Sequence, residues 1–398
     1  MSAIVINDRY KYAPIDALYY TAFGIYSFFH LIESTNYQTF FGMDVDAVST
    51  VATALMLFFL LPRFVVQHYT SETLLKVAVI LLTGLIVFYV TKSWICLCTG
   101  LFVCSGRRIR IEPLLWIMLF NAIAVFIIAY SGVRFGIIDT FLTSRLGEAR
   151  MRDSLGFAQV NSVGFIGARI CTSTVILRRD RKPWFSIAIC VTLACLIEIV
   201  ANSRTSEFYI IVLSLVSIIL WLKRRNNTLS MIRVSKACIR LLAGFFIATV
   251  ATLAFFNPGN RLEMELSRVL SDRLYSMWWF AQNYSINLFG NNQSIYTMET
   301  IWTGVSNATL TIDNAWALWI VGYGVVPTFL YLSGLFLLFR CSAKGQTNSS
   351  YQIMVLALMC SIFAFCETSA LTIDSNPLII LLACVVYGDS VDTMTERV

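Results

Sequence analysis

The chain predicts an all-α, polytopic membrane protein. Hydrophobic residues make up 58% and charged residues only 13% of its 398 residues. A soluble domain carries roughly 25% charged residues, so a water-soluble core could not enclose this much apolar side chain. Mean hydropathy is +0.72. The apolar residues fall in long runs, not in the alternating ten-residue segments of a transmembrane barrel. In lipid, such runs satisfy their backbone polar groups by becoming helices.

A crossing helix takes about 20 apolar residues, fewer with ragged ends. In chain order the runs of sufficient quality are 15–32, 45–61, 74–90, 113–130, 160–177, 184–200, 208–222, 239–256 and 315–339. Three shorter runs, 94–105, 353–365 and 377–387, bring the expected count to twelve spans. The basic residues test that count, because cytoplasmic loops are enriched in Lys and Arg. With twelve spans and both termini inside, three clusters fall on one side. They are Arg107, Arg108 and Arg110; Arg178, Arg179, Arg181 and Lys182; and Lys223, Arg224 and Arg225. Merging 74–90 with 94–105 would invert everything downstream and break the pattern. The net charge of +7 then reflects inside loops facing anionic lipid and calls for no nucleic acid. The polar start, residues 1–13, and the lack of a small-residue cleavage site predict that the first apolar run stays as an anchor. The chain reads as a single integral membrane domain, 1–398.

The eleven cysteines lie mostly in spans, where free Cys packs as a small apolar residue. Cys96 and Cys98 are too closely spaced for a zinc knuckle or a redox pair. His30 and His68 are the only histidines. Neither a phosphate-binding glycine loop nor an Asp-rich magnesium motif is present, so the sequence predicts no cofactor and no metal.

The chemistry-bearing residues gather in two long outer loops, 131–159 and 257–313. Loops beyond about 15 residues are usually functional or disordered, and the aromatics and apolar spacing here predict order. Leu262, Leu266, Val269 and Leu270 share one helical face, Arg261, Glu265 and Arg268 another. A surface helix is expected to run on through Leu274, Trp278 and Trp279 at the membrane interface. Outside, after Lys92, every basic residue is arginine: Arg134, Arg145, Arg150, Arg152, Arg204, Arg261, Arg268 and Arg273. A guanidinium matches phosphate oxygens in a bidentate fork. The cluster therefore suggests an anionic ligand; the competing reading pairs these arginines with Asp139, Glu148, Asp153, Glu263 and Asp272. Asp313 and Glu367 stand at outer helix ends, as candidate bases or as caps. Glu198 and Arg169 lie within spans, where ionisable residues are functional candidates; Glu198 is alternatively a partner for Arg204.

Several stretches resemble Wzy-type polymerases, which polymerise oligosaccharide repeat units for O-antigen, capsule or exopolysaccharide. Arg152-Asp153-Ser154-Leu155-Gly156-Phe157 followed by Asn161 is similar to that family's R-x-S-L-G-F…N stretch, and Arg145 stands eleven residues before Gly156 in its R-x10-G spacing. Asn202 to Ser206 resembles its Ser-Arg-Thr turn. Leu270 to Leu274, then Leu288-Phe289-Gly290, resembles its large-loop pattern. Asp313-Asn314-Ala315-Trp316, then Gly322 and Gly324, resembles its entry to the next span, and Glu367 with Asn376 its late outer turn. The resemblance runs from Arg145 onward; the large loop lacks a second R-x10-G.

The resemblance implies a GT-C-like fold of the O-antigen ligase and polymerase superfamily, in a bacterial cytoplasmic (inner) membrane with the active face outside. It implies a glycosyltransferase that joins undecaprenyl-diphosphate-linked repeat units without metal. A chain-length regulator and a flippase of the same pathway are the implied protein partners. Arg145, Arg152, Arg204, Arg273 and Asn161 would bind diphosphate or glycan, and Asp313 or Glu367 would take the acceptor proton. The alternatives are a transporter or flippase of lipid-linked sugars and an O-antigen ligase. The ligase carries a histidine where Asp313 stands here.

Overall fold

The computed structural model describes residues 2–37, 45–144, 150–179, 181–225, 231–270, 272–291, 312–342, 363–364 and 371–395, and these are mostly helical. Helix α1 (Ser2–Glu33) is followed by α2 (Val45–Val66), α3 (Ser71–Thr91), α4 (Ile95–Ser105) and α5 (Ile111–Arg134). Strands β1 (Leu142–Ser144) and β2 (Met151–Asp153) lead into α6 (Val160–Leu177), α7 (Trp184–Val200), α8 (Arg204–Arg225) and α9 (Met231–Phe255). Two surface helices follow, α10 (Arg261–Val269) and α11 (Arg273–Asn283). Then come α12 (Ala315–Leu318), a π-helical stretch Trp319–Tyr323, α13 (Val325–Ser342), a 3-10 turn Pro377–Leu381, α14 (Leu382–Tyr387) and α15 (Asp392–Thr395).

Among the described residues six helical segments are long and apolar enough to cross a membrane: Val48–Val66, Ser71–Thr91, Ile111–Arg134, Val160–Leu177, Arg204–Leu222 and Ser235–Phe255. Their exposed faces carry Phe58, Leu75, Tyr89, Ile127, Phe208 and Ile247, each more than half accessible. Apolar surface of this extent belongs against lipid. Helix α6 differs. Its apolar window is 78% buried, where the other five segments are buried over a third or less. It is the central helix, packed on α5, α7 and α8. Small residues let the neighbours approach, as is usual between membrane helices. A Cβ on Gly164 would lie 2.6 Å from Ser203 Cβ.

The run 94–105 forms a separate helix, α4, folded back on α3. Lys92 takes the left-handed conformation (φ 59°) that ends α3, and Gly84 and Gly100 give the hairpin its close contacts with Leu97 and Ile80. At about 1.5 Å per residue, α4 is roughly half as long as the apolar core is thick. The segment Pro377–Tyr387 is equally short, and Ile380 packs directly on Gly106 at the end of α4. Both are enclosed by other helices.

The polar start, residues 2–13, is helical and continuous with α1. Three expectations are corrected. The loop 131–159 holds an antiparallel hairpin with Thr143 opposite Arg152. The surface helix is two helices, because Asp272 adopts φ 60° and breaks it before α11. The run 315–339 is not one helix but breaks at Gly324 (φ 101°). The backbone groups freed there are met by the segment after α11: Val325 and Val326 donate to the Asn287 and Leu288 carbonyls at 3.1 and 3.0 Å, and Asn291 N donates to Gly322 O at 3.1 Å. Gly324 has to be glycine for two reasons. L-residues avoid its φ, and a Cβ would meet the Leu288 carbonyl at 2.5–2.7 Å. The run 353–365 lies outside the described residues except for 363–364.

Candidate functional site

The site is organised around the turn between α7 and α8. Helix α7 ends where Ala201 N and Asn202 N both donate to Ile197 O at 2.8 Å. Asn202 then takes φ 45°, a conformation asparagine tolerates better than most residues. Ser203 N-caps the next turn by accepting from Glu207 N at 3.0 Å through its carbonyl, and its hydroxyl donates to Ser206 at 3.3 Å.

Two arginines of the hairpin close on the end of α7, where the last carbonyls need donors. Arg150 pairs with Glu198 Oε1 at 2.9 Å and donates to the Glu198 carbonyl. Arg152 is buried; its Nε donates to Ala201 O at 2.7 Å and its Nη2 to Asn161 Oδ1 at 2.8 Å. The residues after Arg152 form a tight turn that aims it. Asp153 Oδ1 accepts from Leu155 N at 2.8 Å and from the Thr140 hydroxyl. Ser154 Oγ accepts from Phe141 N at 2.9 Å. Leu155 and Gly156 both have positive φ, and Gly156 O accepts from Asn36 N at 2.8 Å, tying the turn to the end of α1.

The large loop reaches the same turn from the other side. Arg273, at the start of α11, donates from Nη2 to Thr205 Oγ1 at 2.9 Å, and the same nitrogen stands 4.0 Å from Asp313 Oδ2. Asp313 is about a third exposed. It does not cap α12; Asn314 does, accepting from Ala317 N at 3.0 Å. Arg204 is exposed beside Thr205. Arg152, Asn161, Arg204, Arg273 and Asp313 therefore share one rim. Arg145 and Glu367 lie outside the described residues. Glu198 feels Arg204 electrostatically, as expected, but its close ion pair is with Arg150, which the hairpin delivers. Arg261 and Arg268 remain on the exposed face of α10, with Arg268 held to Glu265 at 2.8 Å.

Comparison with family profiles, curated proteins and solved structures finds no match.

Below the rim lies a polar cluster that the sequence reading did not assemble. Arg169, in the middle of α6, pairs with Asp374 at 3.1 Å, both nearly inaccessible, and donates to Ser375 Oγ. Its guanidinium sits 4.4 Å over the Phe165 ring. His30 and Glu33, at the end of α1, pair at 3.1 Å nearby. Burial pushes the Asp374 carboxyl up, but Arg169, His30 and the Thr372 and Ser375 hydroxyls outweigh it and hold the group below its ordinary value. A cleft beside this pair is lined by Arg169, Thr172, Tyr209, Ser375 and Asn376. Arg169 was visible as an ionisable residue in a span. Its partner was not, because 205 residues separate the two. Among the described residues no group of three or more His, Cys, Asp or Glu could hold a metal ion.

Proposed function

We propose that the protein polymerises lipid-diphosphate-linked oligosaccharide repeat units, by glycosyl transfer, on the membrane face that carries this rim. The observation behind the reading is convergence. Arg152 and Arg273, 121 positions apart, bond the same turn, and Arg273 brings Asp313 to its edge. An exposed arginine and an arginine–carboxylate couple supply what the transfer needs. The acceptor hydroxyl oxygen attacks the anomeric carbon of the donor, the bond from that carbon to the diphosphate breaks, and the hydroxyl proton passes to Asp313. Arg204 and Arg273 offset the charge that develops on the leaving diphosphate, and Asp313 acts as general base. Arg152 has a different part from the one its motif suggested. Both of its described donor contacts go to protein, so it positions the turn.

The decisive assay is reconstitution. Purified protein given undecaprenyl-diphosphate-linked repeat units, EDTA and no nucleotide should yield chains of two or more units. A strict need for nucleotide or divalent metal would overturn the reading.

A second reading has two observations in its favour. Transporters use broken helices and buried charges, and this chain has a break at Gly324 and the Arg169–Asp374 pair. Under that reading the protein would move lipid-linked oligosaccharide across the bilayer. The reconstitution separates the two: movement of labelled substrate between leaflets with no chain lengthening favours transport.

The proposal includes twelve spans, a bacterial inner-membrane setting and both termini in the cytoplasm, on the strength of the Lys and Arg asymmetry. In a cysteine-free background, an impermeant thiol reagent should label Ser294→Cys in intact cells and spare Asn227→Cys. The opposite pattern would reverse the orientation.

A further inference from the structure

At the end of α6 away from the rim, a shallow cleft opens between α6, α7 and α8. Its lining includes Arg178, Arg179, Arg181, Pro183, Ser186, Ser217 and Trp221. We infer that this cleft holds the phosphate of an anionic phospholipid from the adjacent leaflet.

Four features point to an absent acceptor. Arg178 Nε is buried with no hydrogen-bond partner among the described residues, and such a group in a folded protein requires an explanation. Its guanidinium is steered by the Phe185 ring, 4.3 Å away. The Ser186 side chain is 1% exposed and lines the cleft, yet makes no hydrogen bond among the described residues. Helix α7 begins here at Pro183 with no side-chain cap, so the first N–H groups of a 17-residue helix face the cleft with the positive end of its dipole. Arg181, exposed at the mouth, adds a second unit of charge.

Glu112 and the Ile176 carbonyl already have a cation. Arg179 pairs with Glu112 at 3.0 Å and donates to Ile176 O at 3.1 Å, covering the C-terminal end of α6. Asp180 lies outside the described residues.

The depth of the cleft selects the source of the phosphate. Trp184 and Trp221 stand side by side at its edge, ring centroids 6.1 Å apart, and Trp184 and Phe185 are exposed. Tryptophans in this pattern mark the headgroup level of a bilayer. Basic pockets between membrane helices at that level suit anionic lipid headgroups.

The test uses the full chain, delipidated in detergent, with binding read from the rise in melting temperature. Dioleoyl phosphatidylglycerol should raise it saturably; dioleoyl phosphatidylcholine should not. The double variant Arg178→Ala/Arg181→Ala should bind phosphatidylglycerol at least tenfold more weakly, and Lys236→Ala, a basic residue exposed on α9, should bind it as the parent does. Ser186→Asp guards against misfolding. A carboxylate in the first turn suits the dipole of α7, so the melting temperature without lipid should hold or rise while the phosphatidylglycerol response is lost. Equal phosphatidylglycerol affinity in parent and Ser186→Asp would overturn the proposal. Millimolar inorganic phosphate that saturates the site and displaces the lipid would overturn the assignment to lipid.

Discussion

Asp374→Leu should destabilise the protein severely, by about 3–5 kcal/mol, and lower its level in the membrane, because it leaves the Arg169 charge buried beside an apolar residue. Arg169→Met should do the same to Asp374. The double variant Arg169→Met/Asp374→Leu should recover most of the loss, since replacing both members of a buried ion pair with apolar groups is often neutral. Thermal unfolding in detergent across the four proteins forms a double-mutant cycle and reads the coupling directly. Additive losses would show that the two side chains do not depend on each other. The pH dependence has a defined sign. The Asp374 carboxyl is held below its ordinary value, so the stability it contributes is complete above the carboxylate range. It is lost only as pH falls below about 4 toward the depressed value. The double variant should lack that acid-sensitive component. If it is stable but inactive, the charges serve the reaction, and the cleft beside them, with Tyr209 and Asn376, is part of the substrate path.

The second large effect belongs to the rim. In the reconstituted assay, Asp313→Asn should slow chain lengthening by about 100- to 10,000-fold, the range for losing a general base. Arg273→Ala should slow it by about 30- to 1000-fold, corresponding to roughly 2–4 kcal/mol of charge stabilisation. Arg273→Lys should recover little, because an ammonium lacks the second, parallel N–H with which a guanidinium grips diphosphate oxygens. Arg268→Ala and Arg261→Ala are the controls on exposed α10, where an ion pair contributes about 0–1 kcal/mol. Arg152→Ala should differ in kind: it removes the donor to Ala201 O, so the amount of folded protein should fall along with activity. Full activity of Asp313→Asn would end its assignment as the base.

The sequence and the structure agree where one physical signal dominates. Runs such as 74–90 and 160–177 match helices at their ends to within a few residues, because in lipid hydropathy alone decides helix formation. The Arg152 to Asn161 stretch and the 201–205 turn could be marked as candidate sites, since arginine, glycine and asparagine in fixed order are visible locally. The contacts that give them meaning are long-range. No local pattern says that Gly324 breaks a 25-residue apolar run, because the partner of that break is the Asn287–Asn291 backbone. Asn314 rather than Asp313 caps α12, and since both residue types are good caps the sequence does not choose between them. Helix α1 begins at Ser2 although residues 2–13 are polar, as the hydropathy signal reports insertion in lipid and not helicity.

The enclosed position of α4 bears on how the chain is made. Its C-terminal carbonyls are met partly by Arg63, which donates to Ser105 O at 2.8 Å and Arg107 O at 2.6 Å while pairing with Asp16. The remaining cover comes from far downstream. Tyr387 donates to Gln67 and to the Cys104 carbonyl, Arg107 pairs with Asp389, and Ile380 seals Gly106. Those contacts span 274 to 320 positions. At ribosomal speeds of about 5–20 residues per second, α4 waits on the order of tens of seconds after emerging before its last neighbours exist. Through that interval α4 is half-covered, sheltered by α1, α2 and α3. A ribosome stalled before Pro377 would release a chain whose α3–α4 hairpin is still uncovered on one side, a natural mark for membrane quality-control proteases to read.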